Sequence, residues 1–131
     1  MPGLNSGNPN PVGLNLVILS DDAERLRGAL MLAMAHRALG GQARLFLQLD
    51  AVRLLAPHLA APRDAGHATV GLPTLSSLLE EALESGVSII ACQSGLALAG
   101  LSIADLDPRI EAGGPINFLR SISPTDRLST V

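Results

Sequence analysis

The stretch Ser88–Gly100, SIIACQSGLALAG, decides the fold. It belongs to a run from Gly86 to Ala104 without a charged residue, about the length of a membrane span. Ser88, Gln93, Ser94 and Ser102 interrupt that run, as do three glycines, and its character changes at Cys92 from β-branched to Leu- and Ala-rich. A strand over Val87–Cys92 followed by a short helix near Ser94–Gly100 accounts for both features. The strand is apolar at nearly every position, which suits a strand buried on both faces of a parallel sheet.

The same alternation runs through the rest of the chain. LNLVIL (Leu14–Leu19) reads as a first buried strand. SDDAERLRGALMLAMAHRALGG then carries Leu26, Ala29, Leu30, Ala33, Met34 and Ala38 at helical spacing, with Glu24, Arg27 and Arg37 as polar positions. Ser20 or Asp21 can cap this helix, Glu24 can complete a capping box, and Gly40-Gly41 stops it. QARLFLQ (Gln42–Gln48) reads as a second strand, and DAVRLLA (Asp50–Ala56) as a short helix. Residues 57–73 hold three prolines and no sustained period, so a long loop is expected there, serving as a lid, an oligomer contact or a disordered segment. TLSSLLEEALESG (Thr74–Gly86) reads as a helix. Beyond Gly100 come a capped turn at SIADLDP, with Asp105 and Asp107 as caps, a short strand in RIEAGG, a helix in PINFLRSI and a fifth strand in RLSTV.

Strands linked by crossover helices predict a three-layer α/β/α sandwich around a mostly parallel five-stranded sheet. The expected organisation is a flexible arm at 1–13 and one domain at 14–131, long enough for a single core. One cysteine excludes an intramolecular disulfide framework and points to a reducing, cytoplasmic compartment. The cationic residues are nine arginines scattered from Arg25 to Arg127, and the net charge is −3, so no nucleic-acid footprint is expected. Phe46 and Phe118 are the only aromatics, too few for base stacking. The start, MPGLNSGNPNPVG, lacks the basic and apolar segments of a signal peptide, and no membrane partner is expected.

Sites in open parallel sheets form beyond the carboxyl ends of the strands, where the next helices begin. Cys92 occupies such a place, with Gln93, Ser94 and Gly95 leading into the following helix. Unpaired amides and the helix macrodipole favour an anion there, so Cys92 is a candidate nucleophile. A small buried core thiol is the competing reading. No His, Lys or Arg neighbours it in sequence, so a Cys/His hydrolase is unsupported. Neither a G-x-G-x-x-G nor a P-loop pattern follows any strand. His36 is expected at a surface or interface; His58 and His67, in the middle loop, have poor spacing for a metal and no fixed carboxylate partner. Gly113 and Gly114 make a tight turn that can expose amides beside Cys92.

LNLVILSDDAERLRGALMLAMAHRALGGQARLFLQLDAVRLL, then a variable middle, then LLEEALESGVSIIACQSGLALAGLSIADL resembles the DsrE/DsrF/TusD-like family of small sulfur-relay proteins. The likeness runs from about Leu14 to Val131 outside the middle loop, with Ser20-Asp21-Asp22 at the acidic helix start and Cys92, Ser94 and Gly100 in the distinctive strand-to-helix element. The resemblance implies a flavodoxin-like fold, homo-oligomers (dimers, trimers or hexamers), and a cysteine that carries sulfane sulfur as a persulfide without metal or organic cofactor. Cys92 would then take sulfur from a donor protein and pass it to an acceptor thiol. The alternative expectation is a non-catalytic oligomeric module that binds a small ligand or a protein partner, with Cys92 structural.

Overall fold

The computed structural model describes residues 12–131. Apart from Val12 and Gly13, the expected arm at 1–13 lies outside the described residues. Five strands, β1 (Leu14–Ile18), β2 (Ala43–Leu47), β3 (Ser88–Cys92), β4 (Glu111–Gly113) and β5 (Arg127–Thr130), form one sheet in the order β4-β3-β2-β1-β5. Every pairing is parallel. The register sets Leu16, Leu45 and Ile89 in one row and Ile18, Leu47 and Ala91 in the next, all buried. Alternate residues Val17, Phe46 and Ile90 face the other side.

Helix α1 (Ala23–Ala38) begins one residue later than the sequence reading allowed. Asp22, and not Ser20 or Asp21, is the cap: its Oδ1 accepts from the Glu24 amide at 2.9 Å. The Glu24 carboxylate does not return to close a capping box, because it is held by Arg27 and His67. Leu26, Ala29, Leu30 and Ala33 make the buried stripe, and α1 packs on β1, β2 and α3 (Leu75–Glu84). Each buried Leu contributes roughly 1.5–3 kcal/mol. Thr74 caps α3 by accepting from the Ser77 amide at 3.2 Å.

After β2 the expected short helix is a 3-10 helix, Leu49–Leu55, whose Ala51, Val52, Leu54 and Leu55 are buried. The segment 57–73 differs from the expected loop, since it contains helix α2 (Asp64–Thr69) and is pinned to α1 by polar contacts described below. Helix α4 (Gln93–Ala99) follows β3 and ends at Gly100, whose φ of +68° is the left-handed conformation that favours glycine. The turn at Ile103–Asp105 carries a full capping box between Ser102 and Asp105.

The connections β1 to β2, β2 to β3 and β3 to β4 all move in one direction along the sheet, whereas β4 to β5 returns across it. Right-handed crossovers therefore place α1, α3 and α4 on one face and α5 (Pro115–Arg120) on the other. Phe118 of α5 stacks on Phe46 of β2 with ring centroids 4.8 Å apart, and the Arg44 guanidinium lies over the Phe118 ring at 4.7 Å. Phe118 is the buried residue of α5, so this layer is thin.

Candidate functional site

Cys92 ends β3 and is the N-cap residue of α4, at the carboxyl edge of the sheet as its sequence position implied. Only 4% of its surface remains exposed. Gln93 and Ser94 are exposed and Gly95 is buried. The absence of a side chain at Gly95 lets α4 lie directly against the 3-10 helix, since a Cβ there would collide with Val52 and with the Leu49 carbonyl. Leu49, half exposed, holds a left-handed backbone with φ of +49°, uncommon for a residue with a side chain. On the other side of β3, Gly113 is the register partner of Cys92, and Gly114 caps α5. The structure thus brings together Cys92, Gln93, Ser94, Gly95, Gly113 and Gly114. Ser20 and Asp21 follow β1, with β2 between them and β3, two strand spacings or about 10 Å away across the sheet. The Ser20 hydroxyl oxygen is buried without a hydrogen-bond partner.

A second concave region lies between the start of α1, the end of the 3-10 helix and residues 59–63. This cleft has a volume of about 470 Å³, within the usual range for small-molecule sites. Its wall is apolar, from Ala23, Leu54, Leu59 and Ala61, and Asp21, Arg53, Glu24 and Arg63 stand at its charged margin. Arg53 is 3.8 Å from Asp21 and Arg63 is 3.4 Å from Glu24, both with largely exposed guanidiniums.

Behind the cleft, a polar network holds the middle segment on α1. Arg27 was expected on a polar helix face, but it is only 5% exposed. It donates to Asp64 Oδ1 at 2.9 Å, to the Pro73 carbonyl at 2.8 Å and to Glu24 Oε2 at 3.2 Å. Asp64 accepts as well from the amides of Leu75 at 2.9 Å and Ala61 at 3.0 Å. The Leu75 amide, foremost, holds the Asp64 carboxyl below the usual range. His67 lies 2.8 Å from Glu24 Oε1, so it does have a fixed carboxylate partner, and that hydrogen bond holds the Glu24 carboxyl low. His36 bonds the Val12 carbonyl at 2.6 Å. Among the described residues no three His, Cys, Asp or Glu side chains converge in a way that could hold a metal. No described helix is long and apolar enough to cross a membrane.

An all-parallel five-stranded sheet with helices on both faces defines an α/β fold. Among the solved structures that share it are two that match the chain over most of its length. One is the ychN protein from E. coli, at TM-score 0.71 and 21% identity over 92% of this chain and 100% of that one. The other is MTH1491 from Methanobacterium thermoautotrophicum, a protein of unknown function, at TM-score 0.65 and 17% identity over the same shares. The likeness extends to the fold alone, an all-parallel five-stranded α/β sheet as the strand and helix alternation of the sequence predicts. No protein-family model and no curated protein sequence matches the chain.

Proposed function

We propose that the protein is a cytoplasmic sulfur carrier that accepts sulfane sulfur on Cys92. The observation that carries this reading is the position of its single thiol, at the carboxyl end of β3, at the N-cap of α4 and in register with Gly113. The Cys92 thiolate attacks the terminal sulfur of a donor persulfide, the donor S–S bond breaks, and the donor thiolate leaves. An acceptor thiolate then removes that sulfur from Cys92, with no net redox change. A lone cysteine cannot divert the persulfide into an internal disulfide. Gln93 and Ser94 follow Cys92 in the chain, Gly113 is its register partner and Gly114 comes next, so these residues flank the reacting position; exposed Asp21, across β2, serves partner docking. The burial of Cys92 requires local opening for transfer. Self-association belongs to this reading, because exposed Leu19, Leu49, Leu98, Ile116, Leu119 and Leu128 leave apolar surface to cover.

Incubation of native protein with a low-molecular-weight persulfide, followed by intact mass spectrometry, tests the proposal. The expected result is a gain of one sulfur, about 32 Da, reversed by reductant and absent in Cys92→Ser. A folded protein that stays unmodified overturns it. The 4% exposure of Cys92 favours a second reading, a ligand-binding module in which the thiol is packing. Iodoacetamide separates the two: a carrier thiol reacts in the native state, whereas a packed thiol waits for unfolding.

A further inference from the structure

We propose that the cavity between β4 and α5 is a binding site for a free α-amino acid thiol of cysteine size, the acceptor of the sulfur carried by Cys92. The inference rests on the sulfur-carrier reading for what the bound thiol does, and not for what binds. The cavity has a volume of about 190 Å³, the space of roughly six liquid waters, so it takes only a small molecule. Its lining charges are one cation, Arg44, and one anion, Glu111. Among the described residues neither enters an ion pair. Arg44 is half-buried and held by neutral acceptors: Nε donates to Asn15 Oδ1 at 2.8 Å and Nη1 to Ser121 Oγ at 2.7 Å. Burial pushes its guanidinium down from the ordinary value, and the carboxylate that acts on it from a distance, Asp126, is held by the amides of Gly13 and Ser123. A half-buried cation among neutral groups gains from an anion, and its forked donors match a carboxylate. Exposed Glu111, at the rim, takes an ammonium. A ligand with both charges pairs both groups, whereas a ligand with one charge leaves one group unpaired and is repelled by it.

Strand register aims the ligand. Glu111 pairs with Ile90 and Gly113 with Cys92, so the charged end of the cavity and the Cys92 row are about 6.6 Å apart along the sheet. Side-chain alternation puts Cys92 on the same sheet face as Ile90, which lines the cavity. Gly113 lines it too and, without a side chain, leaves that end clear; a Cβ there would sit 3.0 Å from Ile90 Cγ2. With the carboxylate on Arg44 and the ammonium on Glu111, the thiol of cysteine extends toward Gly113 and its register partner Cys92. When local opening uncovers the loaded Cys92, the bound thiolate attacks its outer sulfur. The Cys92 S–S bond breaks, the Cys92 thiolate leaves, and cysteine departs as its persulfide with no net redox change.

Cysteine, cysteamine, which lacks the carboxylate, and 3-mercaptopropionate, which lacks the ammonium, serve as probes. They are titrated into full-length Cys92→Ser, which holds no sulfur to exchange, and followed by amide chemical shifts. Cysteine is expected to bind at millimolar concentration, shifting residues 111–114, about tenfold more tightly than either analogue. Glu111→Gln, at an exposed position, is expected to lose about tenfold in cysteine affinity and nothing in 3-mercaptopropionate affinity. Arg44→Lys, which keeps the charge without the fork, is expected to weaken cysteine and 3-mercaptopropionate alike and to leave cysteamine unchanged. An analogue that binds as tightly as cysteine overturns the proposal. So do shifts confined elsewhere, undiminished cysteine binding by the folded Glu111→Gln variant, or no cysteine binding at all. On persulfide-loaded wild type, cysteine is expected to discharge Cys92 about tenfold faster than cysteamine, and equal rates overturn the acceptor role. Failure of Cys92 to load with sulfur is read separately, by mass, and removes the carrier reading while the titration still decides what the cavity binds.

Discussion

Removing the Arg27 guanidinium takes the one cationic partner from Asp64, one of three from Glu24, and the donor from the Pro73 carbonyl. Breaking one side of a buried ion pair costs about 3–5 kcal/mol, and the partial exposure of both acids argues for the lower end. Arg27→Met is therefore expected to lower stability by about 3 kcal/mol, read as a fall in the urea midpoint. Periodicity could not find this residue. In a helix whose apolar stripe is mostly Ala and Leu, an arginine reads as solvent-facing, and its acceptors come from Asp64 and Pro73, far along the chain. Cys92 was legible because it stands where a β-branched run gives way to small residues, and parallel-sheet geometry assigns meaning to that boundary. Its burial was one of the two readings the sequence left open, since α4 and β4 are brought against it only by the folded sheet. The charged cleft margin was likewise hidden, because Arg53 and Arg63 lie in segments with little regular period.

Helix α4 and the 3-10 helix meet at Gly95, where nothing larger than hydrogen fits against Val52 and Leu49. Gly95→Ala is expected to cost about 1–3 kcal/mol through overpacking, and to raise the iodoacetamide reactivity of Cys92 by loosening the first turn of α4. Asp22→Ala removes the α1 cap and is expected to cost about 1 kcal/mol, measurable as a lower melting temperature, while Asp21→Ala leaves the cap intact. Long, uniformly apolar or strongly periodic elements declare themselves in sequence: β1, β2, β3, α1 and α3 were all legible. Helix α2 was not, because no residue of it is buried and its place depends on Arg27 and Glu24 of another helix. The cap of α1 shifted by one or two residues because three consecutive residues, Ser20, Asp21 and Asp22, all have capping side chains, and only the exit angle of β1 decides among them.

Acid acts on the whole molecule through carboxylates that the fold holds low. Asp107 is lowered to about 2 by its hydrogen bond from Arg109, and Asp126 lies below its ordinary 3.8 because of the Ser123 amide. Asp64 is likewise lowered from 3.8, and Glu24 from 4.5. Groups depressed by folding bind more protons when unfolded, so their stabilisation is complete above the unfolded values and is lost as pH falls through the folded ones. Stability is expected to decline from about pH 4.5 toward pH 2, followed by circular dichroism, with Asp64→Asn flattening the upper part of the curve. The sheet also has an order of assembly written into it. Strands β1 to β4 are laid down side by side as the chain lengthens, but β5 must return to β1, and the Gly13 amide meets Asp126 across 113 residues. Until Arg127–Thr130 arrives, Leu14–Val17 form an open edge, a template for pairing with another nascent copy. A slow final folding phase, sensitive to protein concentration and abolished by deleting residues 127–131, is the expected consequence in stopped-flow refolding of closing the first strand with the last.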